Sequence, residues 1–342
     1  MPSANVSPRD LEKIRRLLCA LQDKIRATLI AARDQDAAKF SQVVAVTAAD
    51  TIYRVDRIGE HAILAWFDEC WPRPWPVEIV MEGIEDGAHV TFPTGTPVEA
   101  TRFKCIIDPI DGTRNLMYDK RSAWILAAVA PQRGLRTDLT DLVVAAMSEL
   151  PTTKHGWSDQ ISAIRGGGRE KLRAERINLL TGARSRFQPR PSRAGDCRNG
   201  FASLARFFPD GKALTAKIEE ELWAELYGSD ATGASMVFDD QYITTGGQLY
   251  ELLVGHDRMI GDLRPLVFAR LKLKSSLVCH PYDICTALIL TEAGGLVEAP
   301  GGGPVRVPLD TTSPVAWVGY ANAKLARAIR PVLRRLIRRH LG

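Results

Sequence analysis

The chain has little that would direct it to a membrane, to secretion or to disulfide chemistry. No apolar run approaches the roughly 20 residues a membrane-spanning helix needs. Met1 to Arg16 is polar and carries no apolar signal-peptide core, so a cytoplasmic protein is expected. The six cysteines, Cys19, Cys70, Cys105, Cys197, Cys279 and Cys285, are scattered, with no close pair at zinc-knuckle or redox spacing. That argues against structural zinc and for free thiols in a reducing compartment. The net charge of +5 is too mild to point to nucleic acid, although local fields would favour small anions. Gly166-Gly167-Gly168-Arg169 lacks the Lys-Ser/Thr ending of a nucleotide P-loop and reads as a flexible turn. No internal repeat is present, and no cysteine or serine stands in the context of a nucleophile.

What is present is ordinary globular composition, 45% hydrophobic and 25% charged over 342 residues, enough for one large domain or two smaller ones. Helical spacing runs from Pro8 to about Asp36 and from about Ala49 to Glu69. A strand, Val77 to Met81, leads into Glu82, and the turn-rich stretch from Gly83 to Arg102 suggests a hairpin or a mobile loop. Ala123 to Pro131 and Leu142 to Leu150 read as apolar strands of one sheet. Lys154 to Arg206 is rich in arginine and resists assignment. Beyond it, helices are expected over Leu214 to Tyr227, from Ser235 into Gly246-Gly247, and over Tyr282 to Ala293, which Gly294-Gly295 would stop. Leu249 to Val254 reads as a strand. The arginine-studded run from Leu325 to Leu341 reads as a helix packed on one side. The alternation of strands and helices predicts stacked α and β layers.

The chemistry concentrates in Phe103-Lys104-Cys105-Ile106-Ile107-Asp108-Pro109-Ile110-Asp111-Gly112-Thr113. An apolar strand delivers two carboxylates three residues apart, and Pro109 biases the segment towards a tight turn. Like charges so close call for a cation between them. Amides at Gly112 and Thr113, where a helix would begin, suit a phosphate oxygen. Glu82 at a strand end and Asp283 at a helix start are two further acids placed to join a site. Hard cations such as Mg²⁺ take such oxygen ligands.

The run Asp108-Pro109-Ile110-Asp111-Gly112-Thr113-Arg114-Asn115 resembles the signature of the inositol monophosphatase family, the lithium-sensitive, metal-dependent phosphatase superfamily that includes fructose-1,6-bisphosphatases. Pro281-Tyr282-Asp283 and Thr291-Glu292-Ala293-Gly294-Gly295 are similar to its second signature, a Trp-Asp step opening a helix that ends in Glu-Ala-Gly-Gly. Val55-Asp56 followed by Glu60 matches the family's Asp-x-x-x-Glu helix start better than Val46-Thr47-Ala48-Ala49-Asp50 matches its Thr-Ala-Thr-Asp step. Val315 to Asn322 resembles its closing strand and loop. The resemblance implies a layered αβαβα sandwich of the α/β (α+β) class, in one domain over 1–342. Its N-terminal half, about 1–150, would hold most metal ligands, and its C-terminal half Asp283 and the substrate-binding elements. It further implies two or three Mg²⁺ ions per active site, bound by Glu82, Asp108, Asp111, Asp283 and the Ile110 carbonyl. Asp56 and Thr113 would orient and deprotonate the attacking water, and the amides of Gly112 and Thr113 would hold the phosphate. The implied reaction is hydrolysis of an inositol or sugar phosphate monoester by in-line attack of a metal-activated water, without a phosphoenzyme. A 3′-nucleotide phosphatase and a non-catalytic anion- or RNA-binding protein on the same fold are the alternatives. The expected partner is a small phosphorylated substrate, and a homodimer is compatible with the resemblance.

Several residues depart from the family pattern. Met81-Glu82-Gly83 replaces the usual Gly-Glu-Glu, so Glu85 or Asp86 stands as a substitute for Glu82. Arg114 takes a position that is often small, and reading a second anionic group on the substrate competes with simple exposure on a helix. Leu116 replaces an aromatic, and Tyr282 replaces tryptophan. The glutamate that touches substrate hydroxyls is matched here to Glu251, and Gly233-Ala234-Ser235 resembles the small-residue helix start that approaches substrate. Gly255-His256-Asp257-Arg258 is read as a turn or strand end rather than a metal step.

Overall fold

Helix α1 (Pro8–Gln35) carries Ile14, Leu18, Leu21, Ile25 and Leu29 at three- and four-residue spacing, and all five are buried. The computed structural model describes residues 6–35, 43–46, 51–84, 88–228, 237–274 and 277–342. A short antiparallel pair, β1 (Val43–Val46) and β2 (Thr51–Tyr53), leads into α2 (Arg54–Cys70), which begins later than the spacing predicts because β2 occupies the preceding residues. Together α1 and α2 cover one face of an eight-stranded sheet.

That sheet contains β3 (Val77–Met81), β4 (Val90–Phe92), β5 (Phe103–Asp111), β6 (Ala123–Pro131), β7 (Val144–Leu150), β8 (Trp157–Ile164), β9 (Arg173–Asn178) and β10 (Arg184–Arg186). Their order is β10-β9-β8-β7-β6-β5-β3-β4, and β3 pairs antiparallel with β4, so the stretch from Gly83 to Arg102 contributes one strand of a pair whose other strand precedes it. Alternate residues of β6 enter different cores. Ala123, Ile125, Ala127 and Val129 face the α1–α2 layer, whereas Trp124, Leu126, Ala128 and Ala130 join the core on the other side. Burial on both faces is why β6 is apolar at every position, without the polar alternation of a half-exposed strand.

Two short helices follow β5 and β8, α3 (Thr113–Met117) and α4 (Gly168–Lys171). A five-stranded sheet holds β11 (Gly200–Leu204), β12 (Val237–Phe238), β13 (Asp257–Asp262), β14 (Leu296–Glu298) and β15 (Trp317–Tyr320), ordered β12-β11-β13-β15-β14. Helix α5 (Lys212–Tyr227) packs on its outer side. Helix α6 (Thr245–Val254) lies between the sheets, touching β6 and β13. Helix α7 (Arg264–Leu271) follows β13, and α8 (Pro281–Ile284) and α9 (Ala287–Glu292) return to the middle layer. Helix α10 (Ala323–His340) packs beside α5. The succession is the expected αβαβα sandwich. No described helix is long and apolar enough to cross a membrane.

Three sequence assignments are corrected. Leu249–Val254 is helical, because Leu249, Leu252 and Leu253 repeat at helix spacing and are buried together. The helix expected from Ser235 into Gly246-Gly247 is absent over the described residues, and Gly246-Gly247 instead opens α6. The helix over Tyr282 to Ala293 is two helices, interrupted at Cys285 and Thr286. Elsewhere Gly255 caps α6 in the left-handed region and Asp257 starts β13, so the turn and strand-end reading of that stretch holds. The Gly166–Gly168 turn is not idle either, since its amides at Gly166 and Gly168 donate to the Glu292 carboxylate at 2.8 and 2.6 Å.

Candidate metal centre

Residues three apart on a regular strand point to opposite faces, yet Asp108 and Asp111 share one space. The cause is Pro109. It has no N–H to give the ladder, and the β5–β6 register skips between Asp108 and Asp111. Strand geometry thus persists to Asp111, and the tight turn expected around Pro109 falls at Gly112, with φ +90°. A side chain there would meet Thr244 and the Ile243 carbonyl at 3.0 and 3.2 Å, so only glycine fits.

Asp283 arrives from α8, where its Oδ2 accepts from the His280 amide at 2.5 Å. One carboxylate oxygen from each of Asp108, Asp111 and Asp283 lies within 4.8 Å of the others. Asp108 Oδ1 accepts from the Ile110 amide at 2.9 Å. Asp111 Oδ2 accepts from Thr244 Oγ1 at 2.6 Å and from the Gly246 amide, and Oδ1 more loosely from the Thr245 amide at 3.3 Å. Thr244, Thr245 and Gly246 were missed in the sequence. The signal is a threonine followed closely by a glycine pair, which fits an N-cap as well as a helix stop.

Burial is the main force on these acids. It pushes the Asp108 carboxyl well above the usual range, helped by the charges of Glu82, Asp111 and Asp283. Asp111 rises to about 6, again through burial, against the pull of its Thr244, Gly246 and Thr245 donors. Asp283 rises to about 8 through burial and the charge of Asp111. Asp108 and Asp111 have no ion-pair partner among the described residues. Oxygen-only donors, excess negative charge and little solvent fit a hard divalent cation.

Glu82 extends β3 by one ladder bond, its amide donating to the Ile107 carbonyl at 3.3 Å. It is half-buried, and its charge reaches Asp108. Gly83 follows at φ +89°, with the Glu60 carboxylate where a side chain would stand. Glu85 and Asp86, the substitutes considered for Glu82, lie outside the described residues, as do Ala234, Ser235 and Asp50.

Thr113 and Asp56 meet. Thr113 Oγ1 lies 3.2 Å from Asp56 Oδ1 and 3.0 Å from the Ile110 carbonyl oxygen, donating to one at a time. Arg114 is exposed on α3, while Asn115 donates to the Ile243 carbonyl at 3.0 Å and ties that turn to the approach of α6. Glu251 lies further along α6 and is not a member of the three-aspartate group. Its carboxylate is taken by His256 Nδ1 at 2.5 Å and by Arg121 at 3.7 Å.

The fold and the carboxylate group define a class, a layered α/β protein with a cluster of aspartates that could hold a cation at the end of a central strand. No family model matches the chain, and no curated protein matches it in sequence. Solved structures do match in fold. The suhB extragenic suppressor protein of Bartonella henselae aligns at TM-score 0.61 and 17% identity, covering 95% of this chain and 98% of that one. Leishmania major fructose-1,6-bisphosphatase aligns at TM-score 0.65 and 13% identity, covering 96% and 95%. A Pyrococcus horikoshii protein described as similar to inositol-1 monophosphatase aligns at TM-score 0.60 and 15% identity, covering 97% and 99%. The chain has the fold shared by inositol monophosphatase-like proteins and fructose-1,6-bisphosphatase.

Proposed function

We propose that the chain is a Mg²⁺-dependent phosphatase that hydrolyses a small phosphate monoester, an inositol or sugar phosphate. The observation that carries this reading is the convergence of Asp108, Asp111 and Asp283 within 4.8 Å, on a fold shared with phosphatases. These three residues, with Glu82 and the Ile110 carbonyl, would hold the metal. A divalent cation bound there supplies positive charge to phosphate oxygens and lowers the pKa of water. The protein groups do the rest. Amides of Gly112 and Thr113 at the start of α3 receive phosphate oxygens. With its hydroxyl hydrogen directed to Asp56, Thr113 presents a lone pair to a proton of the attacking water, and the Asp56 carboxylate takes the proton that Thr113 passes on. Water attacks in line with the leaving oxygen, and no phosphoenzyme forms.

One observation keeps a nucleotide phosphatase in view, the broader class of the 3′-nucleotide alternative. A further structure of this fold, aligned at TM-score 0.57 and 13% identity, is described with 2′-AMP bound. The basic segments give less support to a non-catalytic RNA- or anion-binding role. Arg330 and Arg334 pair with Glu298, Arg335 with Glu225, Arg339 with Glu221 and Arg176 with Asp159, so much of that charge is spent internally. Phosphate release measured across sugar, inositol and nucleotide monophosphates, with Mg²⁺ and with EDTA, tests the proposal. Mg²⁺-dependent release from a sugar or inositol phosphate is expected. Release confined to nucleotides selects the second reading, and none from any compound rejects both.

A further inference from the structure

The chain between β13 and α8 supplies no ligand to the metal centre, yet its two ends are joined at one side chain. Arg264 opens α7 and is buried, its guanidinium carbon lying 4.6 and 5.5 Å from the ring centres of Phe207 and Phe208. Asp262, the last residue of β13, is buried with it and takes Nε at 2.9 Å and Nη2 at 2.5 Å. That pair balances the charge, which burial of an arginine first requires. The third arm of the guanidinium is left over. Arg264 Nη1 donates instead to the Leu277 carbonyl at 2.7 Å. A planar fork directs separate N–H groups to both partners at once, which a single ammonium does not.

From Leu277 the chain runs into α8. The Cys279 carbonyl accepts from the Val315 amide at 2.7 Å, and the His280 amide then holds Asp283 Oδ2 at 2.5 Å. The buried Cys279 thiol hydrogen-bonds the Thr245 side chain, and the Thr245 amide in turn faces Asp111 at 3.3 Å. Arg264 thus stands in the same neighbourhood as the aspartate group, and its charge bears on both Asp111 and Asp283. Asp108 and Asp111 are fixed by β5. Of the three aspartates Asp283 alone comes from elsewhere, so its place depends on how the chain enters α8. On the metal-binding reading above, we propose that Arg264 is a positioning residue of the candidate metal centre. By holding the Leu277 carbonyl it sets the entry into α8, and with it the place of Asp283 against Asp108 and Asp111.

The test needs no substrate. Mg²⁺ is titrated by calorimetry into the metal-free, full-length protein, and Mn²⁺ bound in its place is followed by electron paramagnetic resonance. Arg264→Lys keeps a positive charge beside Asp262 and lacks the fork, so the Leu277 bond is lost at unchanged net charge. Mg²⁺ affinity about tenfold or more below wild type is expected, the scale of losing a group that orients a metal ligand, with an altered spectrum of bound Mn²⁺. A merely structural arginine would lower the melting temperature and leave affinity and spectrum of the folded variant unchanged. That result overturns the positioning role, and so does tighter binding by the variant. Should Arg264→Lys fail to fold, Asp262→Asn/Arg264→Gln carries the same comparison, since it keeps a neutral hydrogen-bonding pair with a side chain too short to reach Leu277. A wild type that binds neither Mg²⁺ nor Mn²⁺ overturns the metal-binding reading itself, and the role of Arg264 with it.

Discussion

At the scale of single residues, three carboxyl groups are held where neither charge nor solvent favours their ionisation. Their protons have a sign that is testable without substrate. Asp111 and Asp283, ordinarily near 3.8, are pushed up to about 6 and about 8. Between the ordinary and the raised values the folded chain binds more protons than the unfolded one, so stability falls as pH rises through that window. The metal-free protein should therefore melt at a lower temperature at about pH 8 than at about pH 5, and added Mg²⁺ should restore more stability at the higher pH. A metal-free melting temperature that climbs steadily over this range would contradict the reading of the site. Gly246 makes a second residue-level case. A Cβ there would lie 2.6 Å from Leu126 Cδ2 and 2.9 Å from Asp111 Oδ2. Gly246→Ala should cost about 1–3 kcal/mol of stability, as overpacking does, and weaken Mg²⁺ binding by displacing Asp111. Chemical denaturation and metal titration read the two effects, and an alanine variant equal to wild type in both would show that the close approach is not needed.

At the scale of elements, legibility depended on whether a segment carries one signal or two. The run into Asp108 was plain, since a fully apolar strand leading to two acids has few other readings. Its bulge was not, because the register skip depends on which strand lies opposite. Thr244-Thr245-Gly246-Gly247 carried two signals, helix stop and helix start, and the wrong one was preferred. Only the approach of Asp111 from the other half of the chain decides between them, through Thr244 Oγ1, which donates to Asp111 and accepts from the Gly247 amide at 3.0 Å. Misplacing that start turned the helix bearing Glu251 into a strand. The same hydroxyl offers a test of α6 as an element of the site. Thr244→Val removes both bonds at little change in volume and should cost about 1–2 kcal/mol through the lost cap alone. Thr244→Ser keeps the hydroxyl and should retain most of the stability. Equal denaturation midpoints for Val and Ser would deny the cap its role.

At the scale of the whole molecule, the larger sheet could be read from its long two-sided apolar strands. The smaller sheet could not, because β12 and β14 span only two and three residues and gain their place by pairing with distant partners. The arginine-rich stretch from Lys154 to Arg206 was opaque for a related reason. Its charges are matched to acids far away in sequence, such as Arg173 with Glu12 and Arg184 with Asp23. What the assembled layers achieve is to bring Asp108 and Asp111, from the end of one strand, against Asp283 and the start of α6. The most direct test of that convergence is Mg²⁺-dependent phosphate release by the wild type beside Asp108→Asn, with Mg²⁺ binding measured on the same samples. Release by the wild type that EDTA abolishes is expected, with a folded variant whose metal affinity and turnover are both reduced by about tenfold or more, as when a charged ligand is lost. Full activity in Asp108→Asn, or wild-type turnover indifferent to EDTA, would contradict it.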